Sequence, residues 1–168
     1  IKTRPNAYSY HGLGILYMNM EELDKSVEVF QQALTLRPNW VYGYSSLGLA
    51  RARQGRLDLA IPILEQATNL DPGNEEALYN LATAYQTVGQ HRRAADTYIE
   101  LTKINPTDVQ SLHNLGIIYY NHIPDMEQAR YYFKRALSVD PDYEHANAAK
   151  DVLGRISPNN AMSANPDR

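Results

Sequence analysis

Cysteine is absent from the sequence, which excludes disulfide bonds and thiolate metal sites. No apolar run approaches the roughly 20 residues that a membrane-spanning helix requires. The formal net charge is −3 at pH 7, so the chain has no overall basic bias toward nucleic acid or anionic lipid. The HExxH, glycine-rich phosphate-loop and nucleophile-elbow motifs are also missing. These absences argue against a membrane protein, a nucleic-acid reader and the enzyme classes that those motifs define.

What is present is the composition of a globular protein. Hydrophobic residues make up 43% of the sequence and charged residues 21%. A chain of 168 residues is long enough to bury a core. Thirteen tyrosines accompany one tryptophan and two phenylalanines, and most of the tyrosines recur in the pattern described next. The sequence begins at Ile1 without a signal-peptide pattern, so we expect it to be excised from a longer chain or processed.

One residue pattern, set by the stretch Ala7–Trp40, recurs at intervals of 34 residues. Each copy carries large apolar or aromatic residues, small residues and a closing proline at eight fixed offsets. One small position holds Gly14, Gly48, Ala82 and Gly116, a second holds Ser26, Ala60, Ala94 and Ala129, and a third holds Ala33, Ala67, Leu101 and Ala136. One extra residue precedes Ala129. A period of this length, kept four times, predicts stacked copies of one supersecondary unit.

Each copy is predicted to form two helices joined by a turn. In the first copy, four residues follow the i, i+3, i+4, i+7 spacing of one helix face, which predicts a packed stripe on a helix over about Tyr8–Met18. These residues are Tyr10, Leu13, Gly14 and Tyr17. A second helix is predicted from about Leu23 to Leu36, because Pro38 cannot extend it. The small residues recur because they let two helix backbones approach closely, although a glycine inside a helix costs about 0.5–1 kcal/mol relative to alanine.

Local signals place the turns between these helices. Gly55 and Gly89 mark the turns of the second and third copies. In the fourth copy, Asp125 and Gln128 form a capping-box signature, so the next helix is expected to begin near Met126.

The predicted organisation has three parts. Residues 1–6 form a link that resembles the end of an upstream repeat. Residues 7–156 form the array, with repeats at 7–40, 41–74, 75–108 and 109–143 and a capping helix at 144–156 that presents polar residues to water. Residues 157–168 are rich in serine, asparagine and proline without periodicity, so a flexible tail is predicted there.

The period, the helix-turn-helix content and the eight recurring positions together resemble the tetratricopeptide repeat. The resemblance covers four repeats and a C-terminal capping helix. Arg51, where the other copies have tyrosine, and Leu101, where a small residue is usual, depart from the pattern. The resemblance implies an all-α protein, an α-solenoid of antiparallel helix pairs that forms a right-handed superhelix. It also implies a non-catalytic scaffold without a cofactor, whose inner surface is lined by the first helix of each pair and binds peptides or helices of other proteins.

A second stripe on the first helices lies opposite the packed stripe, and packing does not account for its residues. It mixes tyrosine, asparagine, histidine and aliphatic side chains, which is typical of a surface that binds a partner through amphipathic anchors. The alternative is a stripe that only contacts water. The predicted partner-binding residues are Tyr8, His11, Ile15, Asn19, Tyr42, Ser45, Leu49, Arg53, Tyr79, Asn80, Thr83, Thr87, His113, Asn114, Ile117 and Asn121.

Asn80 and Asn114 fall one repeat apart in this stripe, and each amide could pair with the backbone of an extended peptide. The pair resembles two rungs of the asparagine ladder in the repeats of O-linked N-acetylglucosamine transferase, while Gly12 and Ser46 stand at the other two rungs. An alternative function is therefore a substrate-docking or regulatory arm of a larger enzyme such as a glycosyltransferase. The cations of a carboxylate clamp, which holds acidic chaperone tails, are missing, so that activity is rejected.

The remaining candidates are less specific. Arg51, Arg53, Arg56, Arg92 and Arg93 form a basic cluster that could receive an acidic segment or simply form a solvated rim. The five histidines are not spaced as a metal set.

Taken together, the composition, the charge and the family resemblance lead us to expect a soluble protein, with the cytoplasm favoured, that binds a protein or peptide and neither nucleic acid nor membrane. Self-association through the end repeats is a further alternative.

Overall fold

The computed structural model describes residues 6–156. Over these residues the chain forms nine α-helices and no strand. The helices are α1 (Ala7–Asn19), α2 (Leu23–Leu36), α3 (Val41–Arg53), α4 (Leu57–Leu70), α5 (Glu75–Thr87), α6 (His91–Ile104), α7 (Val109–Asn121), α8 (Met126–Val139) and α9 (Ala146–Arg155). The first eight alternate between 13 and 14 residues in length, as a repeated helical hairpin requires. None of the helices in this range is long and apolar enough to cross a membrane.

The chain divides into two compact units, Ile1–Thr97 and Tyr98–Arg168. In the first unit α1 packs against α2 and α3 packs against α4, while α2 also packs against α3 and α4 against α5. In the second unit α7 packs against α8, and α8 packs against α9. The consecutive helix pairs confirm the all-α hairpin architecture that the 34-residue period predicts.

Side-chain caps explain where several helices begin. The side chains of Asn6, Asn74, Asp108 and Asp125 each accept a hydrogen bond from the backbone N–H three residues later. This satisfies one of the N–H groups that have no partner inside the helix. The capping role of Asp125 and the start of α8 at Met126 are therefore confirmed. The second helix has the predicted bounds, and α1 extends one residue beyond its predicted range at each end.

The small residues allow close contact between the two helices of a hairpin, as the pattern predicts. A Cβ atom on Gly14 would lie 2.4 Å from the ring of Phe30, and one on Gly116 would lie 2.7 Å from the ring of Phe133. Both phenylalanine rings are completely buried. Ser26 is also buried, and its hydroxyl donates to the Gly14 carbonyl at 3.0 Å, so a small polar residue fits this position as well as alanine.

The packed stripe predicted for α1 is wrong at Leu13, whose side chain is 37% exposed. The equivalent leucines, Leu47, Leu81 and Leu115, are at most 5% exposed. The reason is that α2 covers the corresponding face of α3, whereas no described helix covers that face of α1.

The capping helix α9 covers the last hairpin of the second unit. Ala149 is fully buried in one cluster with Ala129 and Phe133, while Lys150 and Asp151 are exposed. The predicted tail at 157–168, and the predicted link except for Asn6, lie outside the described residues.

Candidate functional site

The predicted partner-binding stripe of the first unit lies on α1, α3 and α5, and several of its polar residues bond to one another. His11 Nε2 lies 2.9 Å from Ser46 Oγ, joining α1 to α3. Asn80 Nδ2 donates to Ser45 Oγ at 3.1 Å, and Ser45 Oγ donates to Glu76 Oε1 at 3.2 Å, joining α3 to α5. Ser45 and Ser46 are buried. The expectation that packing does not account for the stripe is therefore wrong for these residues, because they hold adjacent first helices together.

Aromatic contacts also fix the α1 end of the stripe. The His11 ring lies 4.9 Å from the Trp40 ring and 5.4 Å from the Phe30 ring. Burial lowers the pKa of His11, although Glu76 and a hydrogen bond with the Tyr42 backbone act in the opposite direction. Tyr8 packs edge-on against Trp40 at 5.1 Å but remains 63% exposed. The imidazole is thus a packed group, and Tyr8 is the more accessible one.

Other predicted residues of the first unit do face outward. Tyr42 is 52% exposed, and Asn19, Arg53, Thr83 and Thr87 are exposed as well. The half-buried members of the stripe are Ile15, Leu49, Tyr79 and Asn80. Among them, Ile15 and Leu49 contact the core cluster that contains Phe30 and Leu47.

A pocket of about 290 Å³ opens on this surface between α3, α4 and α5. Six of the predicted residues line it, namely Leu49, Arg53, Tyr79, Asn80, Thr83 and Thr87. Ala52, Leu57, Leu64 and Ala84 also line it. The pocket therefore combines aliphatic side chains with an amide and two threonines, the usual composition of a site that holds an apolar group in a fixed orientation.

The sequence pattern contains a signal for this pocket that the prediction missed. Ala52 stands at the position that Met18, Gln86 and Tyr120 occupy in the other repeats. Met18 is 6% exposed and packs in the core cluster of the first hairpin. Ala52 lines the pocket, so this break in the period lies at the pocket.

The second unit carries the remaining predicted residues. His113 is 8% exposed, and its Nδ1 lies 2.8 Å from the Tyr143 hydroxyl. Burial, together with the nearby His145, lowers the pKa of His113 to about 4, and burial raises the pKa of Tyr143 to about 12. Asn114 Nδ2 donates at 3.0 Å to the hydroxyl of Tyr98, which is fully buried.

These contacts give His113 and Asn114 a part in the packing of the second unit. Ile117 is half-buried and Asn121 is exposed. Both asparagines of the predicted ladder donate to side chains of the chain itself.

The basic cluster is largely paired within the chain. Arg53 forms an ion pair with Glu21, and Arg56 forms one with Asp58 at 3.1 Å. Arg93 pairs with Glu65 at 2.7 Å and lies over the Tyr85 ring. The Tyr85 hydroxyl and Arg93 hold the pKa of Glu65 below its usual range. The Arg51 side chain donates to Gln54 at 3.0 Å. This pairing favours a solvated rim over a receptor for an acidic segment.

The part of the chain that the structure describes contains no cluster of side chains suited to binding a metal ion. Within residues 6–156, no three or more His, Cys, Asp or Glu residues are grouped so that they could hold a metal ion. The His113 and His145 rings approach to 5.0 Å between centroids, but they form a pair only.

Comparison with protein-family models shows which family the chain belongs to. Three models of the tetratricopeptide repeat match residues 7–40, 51–115 and 109–143, which together are most of the sequence. The chain therefore belongs to the tetratricopeptide-repeat family, and its helix pairs have the all-α solenoid architecture of that family. A comparison with curated protein sequences finds no match.

Solved structures share this fold. YrrB, described as a tetratricopeptide-repeat protein with an unusual peptide-binding site, aligns with a TM-score of 0.75 at 23% identity, over 86% of this chain and 74% of YrrB. MamA aligns with a TM-score of 0.76 at 25% identity, over 81% of this chain and 79% of MamA. Pseudomonas aeruginosa PilF aligns with a TM-score of 0.80 at 18% identity, over 89% of this chain and 68% of PilF. The family and the fold are those of a protein-interaction scaffold.

Proposed function

We propose that the surface of α3 and α5 in the first unit binds an extended or helical segment of a partner protein, and that the segment inserts one apolar side chain into the pocket at Leu49, Asn80 and Thr83. The observation that carries the proposal is that six residues of the predicted stripe line this one pocket. Peptide-binding surfaces gain most of their free energy from a few such anchors.

The pocket has the size and chemistry for an aliphatic or aromatic anchor. Its volume of about 290 Å³ is at the lower end of the range for small-ligand pockets. Leu49, Leu57 and Leu64 supply apolar contact area. Asn80 lies at the same site, and its amide group can pair with backbone groups of a bound segment in addition to its bond with Ser45.

Charge contributes little to this mode of binding. Arg53 is the one ionisable cation that lines the pocket, and it is already paired with Glu21. We therefore expect affinity to depend weakly on ionic strength, in contrast to the strong salt dependence of an acidic peptide bound by free cations. The description of YrrB as a protein with a peptide-binding site shows that the fold can carry such a site.

The test starts from peptides selected on the purified 168-residue chain from a random 12-residue display library. Two variants obstruct the pocket. Ala52→Met restores the larger residue of the first repeat, and Thr87→Arg places a long cation at the rim. The matched control is Thr35→Arg, because Thr35 and Thr87 are both exposed and both donate to the carbonyl four residues earlier. Affinity is measured by calorimetry, and folding by circular dichroism.

The selected peptides should share one large apolar position. Both pocket variants should weaken their binding at least about tenfold, which corresponds to roughly 1.4 kcal/mol, while Thr35→Arg leaves the affinity unchanged. Peptides without a shared apolar position, or equal affinity in the pocket variants and the control, would contradict the proposal.

A further inference from the structure

A buried histidine of the second unit connects α7 to the chain segment that leads into α9. His113 is 8% exposed, and its Nδ1 lies 2.8 Å from the hydroxyl of Tyr143. Its ring also packs edge-on against Phe133, with 5.5 Å between centroids, and lies 5.0 Å from the ring of His145, the residue directly before α9. The chain therefore enters its capping helix through two residues that contact this one imidazole.

The surroundings of His113 favour an uncharged ring. A buried charge is costly unless an opposite charge accompanies it. The ionisable ring beside His113 is His145, which acquires the same sign of charge when it takes up a proton. Burial, together with His145, accordingly lowers the pKa of His113 to about 4, whereas an imidazole in water has a pKa near 6.5.

In the described part of the second unit, no opposite charge compensates His113. The sequence of α7 has no charged residue, and the ring contacts on α8 and on the connection before α9 are Phe133, Tyr143 and His145. The carboxylates on the surrounding elements are Glu100, Asp108, Asp125, Glu127, Asp140, Asp142, Glu144 and Asp151. None of them is among the groups that shift the pKa of His113, and four form ion pairs, with Lys103, Arg130, Lys150 and Arg155. The other cations of α8, Lys134 and Arg135, have the same sign as a charged imidazole.

The first repeat holds a histidine at the equivalent position, but with a carboxylate nearby. His11 contacts Phe30 and Trp40, which stand at the positions of Phe133 and Tyr143 in the period. There Glu76 raises the pKa of His11 and so opposes the effect of burial. A charged imidazole is therefore better accommodated in the first unit than in the second.

We propose that α9 is released by acid: as the pH falls from neutral to about 5, His113 takes up a proton, and α9 leaves the hairpin of α7 and α8 together with Tyr143 and His145. The direction follows from linkage, because the imidazole binds a proton more readily when α9 has left and water reaches the ring. Release would uncover the apolar cluster that contains Ala129 and Phe133. The proposal is independent of the pocket in the first unit, because none of these residues lines it.

A thiol that the docked α9 buries measures its release. Ala149 is fully buried beside Phe133, whereas Ala148 is exposed. Because the chain has no cysteine, Ala149→Cys and Ala148→Cys each introduce a single thiol. A dipyridyl disulfide reacts with thiols in acidic as well as neutral solution, and dividing the first rate by the second removes the pH dependence of the thiol itself.

This rate ratio should rise about thirtyfold between about pH 7.5 and about pH 5. The factor is that of an imidazole whose pKa is about 4 with α9 docked and about 6.5 after release. In the background His113→Asn the rise should be less than about threefold, because the amide can bond to the Tyr143 hydroxyl but does not titrate. The matched control is His122→Asn, the same change at the exposed residue that follows α7, which should keep the full rise.

Hydrogen exchange of the unmodified 168-residue chain is the second measurement and requires no variant. After correction for the intrinsic exchange rates, α9 should lose protection at about pH 5, while α1 to α4 remain protected at both pH values. A rate ratio that does not change with pH overturns the proposal, and so does an equal rise in the His113→Asn background. If His113→Asn does not fold, as judged by circular dichroism, loss of protection in all helices together at about pH 5 overturns it.

Discussion

At the scale of single residues, one amino-acid type has opposite effects within a single helix. Gly12 and Gly14 both lie in α1, yet a Cβ atom on Gly12 would meet nothing within 4 Å, while one on Gly14 would overlap the buried Phe30 ring. The period separates the two cases, because a small residue recurs at the position of Gly14 and none is required at that of Gly12. This difference could be predicted from the sequence.

Replacing each glycine by alanine should therefore change stability in opposite directions. Gly14→Ala should destabilise the chain by about 1–3 kcal/mol, because Phe30 has no exposed side toward which it can move. Gly12→Ala should stabilise it by up to about 1 kcal/mol through higher helix propensity. Urea unfolding followed by circular dichroism measures both. Changes of the same sign would show that the contact with Phe30 does not limit the size of the side chain at position 14.

The polar residues of the stripe are the part of the site that could not be predicted. His11, Ser45 and Asn80 fall on the correct helix face, but their hydrogen bonds join residues 31 or 35 positions apart in the sequence. Which pairs meet depends on the register between neighbouring first helices, and a single helix pattern does not contain that information. The same histidine or asparagine would be available to a partner if the register differed by one turn.

At the scale of elements, the 34-residue period indicates the backbone conformation of the turns better than the identity of single residues does. Gly55 and Gly89 adopt left-handed conformations with φ of 76° and 77°. Glu21 lies 34 residues before Gly55 and has φ of 59°, the one non-glycine residue with positive φ in the described chain. A side chain in this region costs roughly 1 kcal/mol relative to glycine. The polar stretch 19–22 predicts a turn but not a left-handed residue, and the place of Glu21 in the period, equivalent to Gly55, is what indicates that conformation.

Glu21→Gly should consequently stabilise the first turn. The ion pair with Arg53 is exposed and contributes little. Glu21→Ala is the matched control, because it removes the same carboxylate and keeps the Cβ atom. We expect the glycine variant to be more stable than the alanine variant by about 0.5–1 kcal/mol in urea unfolding. Equal stability of the two variants would indicate that this turn relaxes to an unstrained conformation.

At the scale of the whole molecule, the period predicts consecutive helical hairpins, because equivalent residues of each repeat pack in the same way. The exceptions to the period are individual positions. Ala52, where other repeats have larger residues, lines the pocket, and Leu13 and Leu16 lack the cover that their equivalents have. A repeat pattern describes an average unit, so it cannot show where one unit differs from its neighbours in exposure.

A protein built from stacked hairpins should also respond to damage locally, since each repeat contacts only its neighbours. Ala149→Glu tests this, because Ala149 is fully buried beside Phe133 and a charge there loses hydration by several kcal/mol. Ala148→Glu is the control, since its neighbouring position on α9 is exposed. Hydrogen exchange read by mass spectrometry should show lost protection in α7, α8 and α9 for Ala149→Glu, with α1 to α4 unchanged and Ala148→Glu resembling the unmodified chain. A uniform loss of protection across all helices would mean that the chain unfolds as one cooperative block, and that nearest-neighbour packing alone does not describe its stability.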